Sequence, residues 1–271
     1  LIRILVLILI SKRRYTDVFL RSRRAQPLTL AAEMQWDLLP PLTCSAGRVS
    51  LSGILEPAYD IGGDSFDYAF NPDNVEFTII DAVGHGMAAV LMAVATVNSL
   101  RNSRREGHGL EAAYHAADEV IRTQFGRSNF VTAQIGSLST TSGELTWLNA
   151  GHPLPLLVRD GSCIGEIPCR PSLPVGLGGS PVEVATLHLQ PNDRLLFFSD
   201  GVIETRPPGG EQFGVERLAD HLVRATLDGM PPAETVRRLS ASISRYNGAD
   251  LNDDATLLLI DFHGSDPQHA N

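Results

Sequence analysis

The 271-residue sequence predicts an α+β fold, a layered sandwich of mainly antiparallel sheets with helices packed against them. Three observations carry this prediction. Short segments of alternating or continuous apolar character recur at 49–55, 75–80, 130–138, 144–149, 154–158, 182–189, 194–198 and 255–262. Helical periodicity comes in adjacent pairs, 87–105 with 110–125 and 215–226 with 233–246, and does not alternate one for one with strands as a parallel sheet requires. A hairpin signal, Thr140-Thr-Ser-Gly143, joins two of the strand segments.

The elements follow in order. Residues 1–10, LIRILVLILI, are nearly all apolar and precede Lys12, Arg13 and Arg14. A bilayer span needs ~20 such residues, and a signal peptide carries its basic residues ahead of the apolar run. The segment is read as the cytoplasmic end of a membrane helix with positive-inside residues after it; a helix packed on an interface or a partner is the competing reading. Residues 15–39 read as a helix through Leu28, Ala31, Met34, Leu38 and Leu39, stopped by Pro40 and Pro41. The polar stretch 21–26 divides a linker, 1–26, from the main domain, 27–263, with a disordered tail at 264–271. Asn71-Pro-Asp-Asn74 is a turn in which proline presets one dihedral and Asx side chains bond the local backbone. The helix at 87–105 is rich in Ala, Leu, Met and Val; the next carries Leu110, Ala113, Ala117, Val120 and Ile121 on one face.

Composition narrows the function. A formal charge of −9 argues against a nucleic-acid binder. The charge is uneven: residues 1–24 carry a local +6, leaving −15 for the rest. An acidic body suits cation binding. Three cysteines without a CxxC pair suggest neither a disulfide framework nor a zinc site, and a reducing cytoplasm is the natural compartment.

Chemistry points to the acidic residues. Gly62-Gly-Asp64, Asp81-Ala-Val-Gly-His-Gly86, Ser199-Asp-Gly201 and Asp253-Asp254 stand at strand ends or in glycine-flanked turns. The last three adjoin apolar runs expected to be buried. Unpaired carboxylates there lose hydration and repel one another at a cost of several kcal/mol each. Converging on divalent cations removes that penalty, and hard oxygen ligands without a His or thiolate set favour Mg²⁺ or Mn²⁺ over Zn²⁺. A single Asp-Gly at a strand end is an ordinary turn; the ordered set of four carries the signal.

The set resembles the bacterial branch of the metal-dependent (PPM, type 2C) protein phosphatases, the family of the stage II sporulation phosphatase and of the regulators of sigma-factor partner switching. The resemblance spans about residues 31–262. It rests on Glu56-Pro-Ala-Tyr-Asp-Ile-Gly-Gly-Asp-Ser-Phe-Asp67, Asp81-Ala-Val-Gly-His-Gly86, Phe130-Val-Thr132, Asn149-Ala-Gly-His-Pro153, Ser199-Asp-Gly-Val-Ile-Glu204 with Phe213-Gly214, and Asp253-Asp-Ala-Thr256.

The resemblance implies an αββα four-layer sandwich holding two divalent cations, Mn²⁺ or Mg²⁺. Asp81 would bridge both ions and the backbone carbonyl of Ala82 would bind one. Asp200 and Asp253 would complete the second ion's shell, Asp64 would approach the first, and Asp67 and Asp254 would support these ligands from behind. Water activated between the ions would hydrolyse a phosphoserine or phosphothreonine on a regulatory protein, an anti-sigma-factor antagonist. His85 is a candidate general acid, although Ala82, Val83 and Gly84 separate it from Asp81; packing at the helix entry is the competing reading. His152 reads as a turn or sheet-end residue, and no arginine is assigned to the substrate phosphate. The expected setting is cytoplasmic, tethered to the inner membrane face through the N-terminal segment, with a homodimer left open. A weakly active metal-binding scaffold is the alternative to the enzyme. The leading helix 15–39 is expected to pass an upstream signal to the helices that follow Asp81.

Overall fold

A computed structural model describes residues 29–56, 62–179, 181–248 and 253–263. The apolar run 1–10, the linker, the first half of the predicted leading helix and the tail lie outside these. Among the described residues no helix is long and apolar enough to cross a membrane.

The chain opens with α1 (Leu30–Leu38), whose Thr29 hydroxyl caps the Ala32 N–H at 3.3 Å. It ends at the proline pair. Strands β1 (Thr43–Ala46), β2 (Val49–Glu56), β3 (Ser65–Phe70) and β4 (Asn74–Ala82) lead to helices α2 (Met87–Arg105) and α3 (Leu110–Phe125). Strands β5 (Val131–Ser139), β6 (Glu144–Ala150), β7 (Leu156–Arg159), β8 (Ser162–Glu166), β9 (Val184–His188) and β10 (Asp193–Phe198) follow. Helices α4 (Asp200–Glu204), α5 (Gly214–Leu227) and α6 (Pro232–Asn247) and strand β11 (Ala255–Phe262) complete the domain.

The described strands form two sheets, β1-β2-β11-β10-β7-β8 and β3-β4-β5-β6-β9. Each ladder is antiparallel. Period two in the sequence becomes two faces in space. On β11, Leu258, Ile260 and Phe262 enter the core between the sheets, whereas Ala255, Leu257 and Leu259 meet α5 and α6. On β4, Val75, Phe77 and Ile79 face the opposite sheet, while Ile80 and Ala82 meet α2 and α3. The inner faces interlock through rings such as Phe77 and Phe197, with centroids 4.8 Å apart. The result is the four-layer αββα sandwich.

Four elements were not anticipated: β1, β3, β8 and α4. The first three are short edge strands, β1 and β8 with half-exposed residues and β3 with the buried polar residues Ser65 and Asp67 breaking its apolar signal. α4 has five residues, too few for a helical period to register.

Candidate functional site

The acidic motifs share one end of the two sheets because antiparallel pairing places them there. β3 begins beside the end of β4, with Ser65 opposite Ile80, so Asp64 and Asp81 leave their sheet at the same edge. β10 ends beside the start of β11, with Phe198 opposite Leu257, which juxtaposes Asp200 with Asp253 and Asp254. Ser199 ties the second pair of ends together. Its N–H donates to the Thr256 carbonyl at 3.0 Å, and its hydroxyl accepts from the Thr256 N–H at 3.0 Å.

Two glycines allow the ends to close. A Cβ on Gly63 would sit 2.5 Å from the Ala82 Cβ and 2.7 Å from the Ala82 carbonyl oxygen, so only glycine lets the chain pass this close to Ala82. A Cβ on Gly201 would sit 2.0 Å from the Asp254 carbonyl oxygen. Both residues serve close approach, beyond the sharp turning expected of them from sequence.

The carboxylates feel one another. Asp64 is 2% exposed and its Oδ2 has no hydrogen-bond partner. Burial, then Asp81 and Asp254, hold its pKa well above the ordinary carboxylate value. Asp81 is pushed up to about 7, first by burial and then by Asp200, Asp253 and Asp254. Asp253, at the rim, is raised by partial desolvation and by Asp200, Asp254 and Glu204, while a hydrogen bond from the Asp254 N–H offsets part of this. Five aspartates thus form one repulsive cluster.

Among the described residues, no group of three or more His, Cys, Asp or Glu side chains is gathered closely enough to hold a metal ion as it stands. The donor set and the orphaned Asp64 oxygen both suit a hard cation.

The sequence missed Gln35. It is 1% exposed on α1, and its Nε2 donates to the Asp64 carbonyl at 2.9 Å and to Asp254 Oδ2 at 2.6 Å. A hydrogen bond to a charged group contributes about 1.5–3 kcal/mol. Gln35 therefore ties α1 to two of the acidic motifs. A signal existed: it shares the buried face with Ala31, Ala32 and Leu38, and a polar residue on an apolar stripe needs a partner.

Asp67 stands elsewhere than expected. Its carboxylate accepts from Arg101 Nη2 at 2.8 Å and from Arg104 Nη2 at 2.9 Å. The reason is strand parity: Phe66 enters the core between the sheets, so Asp67 faces the helix layer. It clamps α2 onto β3 and is not among the groups that bear on the acidic cluster. Asp254 does lie in the cluster, hydrogen-bonded to Gln35.

The histidines divide. His85 is exposed in the turn between Gly84 and Gly86, both at positive φ, and is placed in no hydrogen bond among the described residues. His152 is buried, its Nδ1 lies 2.8 Å from the Thr132 hydroxyl, and burial pushes its pKa down to about 3. With its N–H bonded to Asn149 Oδ1 at 2.8 Å, it is a neutral structural residue at a sheet end.

Comparison with known proteins agrees with this architecture. The family model described as Stage II sporulation protein E (SpoIIE) matches residues 71–263. "Phosphoserine phosphatase RsbU" of Bacillus subtilis (strain 168) is 21% identical over 237 residues, 86% of this chain and 69% of the relative. The RsbU and RsbW domains of Rv1364c from Mycobacterium tuberculosis superpose with a TM-score of 0.70 at 29% identity, covering 83% of this chain and 63% of that one. The SiaA-PP2C domain of Pseudomonas aeruginosa gives a TM-score of 0.71 at 20% identity, covering 86% and 94%. The same fold recurs in the catalytic domain of the serine/threonine phosphatase PstP, solved with two manganese ions (TM-score 0.60, 15% identity, 80% and 100% covered). The chain thus spans less than two thirds of the mycobacterial structure. On the match over most of its length, the chain belongs to the Stage II sporulation protein E (SpoIIE) family and is a PP2C-type protein phosphatase domain.

Proposed function

We propose that this domain hydrolyses phosphoserine or phosphothreonine on a regulatory protein, using two divalent cations, Mn²⁺ or Mg²⁺, held by the acidic cluster. The observation that carries the reading is the set of mutually repelling aspartates at one end of the sandwich. Asp64, Asp81, Asp200, Asp253 and the Ala82 carbonyl would hold the ions, with Asp81 shared between them. When bound, the ions supply Lewis acidity toward the phosphoryl oxygens and an acidified water.

The chain's own residues do the positioning. Ser199 and Thr256 lock the β10–β11 end, and Gln35 orients Asp254. His85, exposed on its turn and in no hydrogen bond among the described residues, would be the proton donor to the departing serine oxygen. The name of the RsbU relative supports phosphoserine, and the resemblance to regulators of sigma-factor partner switching supports an anti-sigma-factor antagonist as substrate. The free cysteines Cys44, Cys163 and Cys169 fit a reducing, cytoplasmic setting.

Turnover of p-nitrophenyl phosphate tests the reading. With Mn²⁺ the wild type should be active, chelation with EDTA should abolish the activity, and Asp200→Ala should lower kcat by about 10³-fold or more. Activity that survives both treatments would sink the mechanism. A wild type inert with every divalent cation would favour the scaffold reading.

A further inference from the structure

α4 begins with Asp200, and two residues past its end stands Arg206, exposed and without an ion-pair partner among the described residues. The loop it opens is held in shape. The Phe213 N–H donates to the Thr205 carbonyl at 2.7 Å, closing the loop's base, and the Thr205 hydroxyl bonds the Gly201 carbonyl at 2.5 Å. At the tip the Gly210 N–H donates to the Pro207 carbonyl at 2.9 Å across Pro208 and Gly209, the latter at φ 72°. Two consecutive prolines restrict the backbone further, and the Tyr246 hydroxyl donates to the Glu211 carbonyl at 3.1 Å, fixing the loop to α6.

Between this loop and the Asn247–Gly248 end of α6 lies a cleft of about 480 Å³. Of the described residues that line it, only Arg206 is charged. Glu204, which stands between it and Asp200 in the chain, has the opposite sign and is near enough to Asp253 to raise its pKa.

The distances suit a peptide. Four helical steps of ~1.5 Å and two extended steps of ~3.5 Å place the Arg206 backbone within roughly 13 Å of that of Asp200. An extended peptide covers about 7–14 Å in two to four residues. A side chain two to four positions from a phosphoserine held at the aspartates is therefore within range of Arg206.

We propose that this cleft seats residues flanking the phosphorylated serine, and that Arg206 selects an acidic side chain two to four positions from it. The proposal rests on the phosphatase reading. The acidic cluster and Glu204 repel an acidic flank whereas Arg206 attracts one, so the arginine sets the sign and the spacing of the charge it reads. Arg206 is a specificity-determining residue, with no part in the chemistry at phosphorus.

The test uses the wild-type chain, Arg206→Ala and Arg206→Glu with Mn²⁺ on three probes: p-nitrophenyl phosphate, a phosphoserine peptide with Glu three positions from the phosphoserine, and the same peptide with Gln there. Arg206→Ala should lower kcat/KM about five- to tenfold on the Glu peptide, mainly through KM, with less than about twofold change on the other two. Arg206→Glu should lower it further. An equal loss on all three probes would overturn the proposal by making Arg206 part of the common machinery, and so would no change on any. If the wild type fails to turn over p-nitrophenyl phosphate itself, the phosphatase reading falls and this proposal falls with it.

Discussion

Asp81→Asn should abolish turnover while making the metal-free protein more stable. The two effects share one cause. Asp81 is pushed up to about 7 by burial and by three neighbouring carboxylates, so its ionised form is disfavoured in the folded chain relative to the unfolded one. For an acid whose pKa rises on folding, the native state binds more protons than the unfolded state, and stability falls as pH climbs from about 4 through about 7. The metal-free wild type should therefore melt at a lower temperature at pH 8 than at pH 5.5. The amide carries no charge and escapes that loss. It should recover about 1–3 kcal/mol at pH 8, read as a thermal midpoint raised by several degrees in EDTA. Turnover should meanwhile fall by about 10³-fold or more, because the carboxylate proposed to be shared between the two ions is gone. A variant less stable than wild type in EDTA at pH 8 would show that Asp81 is held by something other than its acidic neighbours.

Gly201→Ala should be the most damaging single methyl addition in the domain. The new Cβ would lie 2.0 Å from the Asp254 carbonyl oxygen and 3.4 Å from the Asp253 Cβ. A backbone oxygen cannot rotate aside. Either α4 moves away, carrying Asp200, or the segment before β11 moves, carrying Asp253 and Asp254. Overpacking of a closed site costs roughly 3 kcal/mol, and at 2–4 °C per kcal/mol for a domain of this size the midpoint should drop by about 6–12 °C. Turnover should fall about 10²-fold even well below the new midpoint, since small displacements of ligands are costly. A midpoint within about 2 °C of wild type with full activity would mean that the two strand ends are looser than the contact implies.

Much of the fold was legible because its signals are local. Strand segments such as 194–198 and 255–262 alternate between the core and the helix layer, and their apolar runs register in any short window. The pairing of β11 between β2 and β10 was not legible, as it joins β11 to a strand about two hundred residues away on one side and about sixty on the other, and no local pattern records a partner. The aspartates were found by their position, at apolar strand ends beside glycine. Gln35 was not, because its burial depends on α1 lying across the cluster from the other end of the chain. Asp67 was misplaced for the converse reason. It sits next to the glycine-aspartate motif in sequence, but strand alternation turns it toward Arg101 and Arg104. Gly201 looked like a residue for turning, and only the approach of the Asp254 carbonyl shows that it is there for space.

Whether the acidic cluster is a metal centre can be measured without any substrate. Calorimetric titration of Mn²⁺ into the chelator-cleared chain at pH 7.5 should give saturable binding of about two ions per chain, with proton release as the raised carboxylates ionise fully. Asp81→Asn should lose at least one of the two. No saturable binding at millimolar Mn²⁺, or binding unchanged by the substitution, would contradict the assignment of these aspartates.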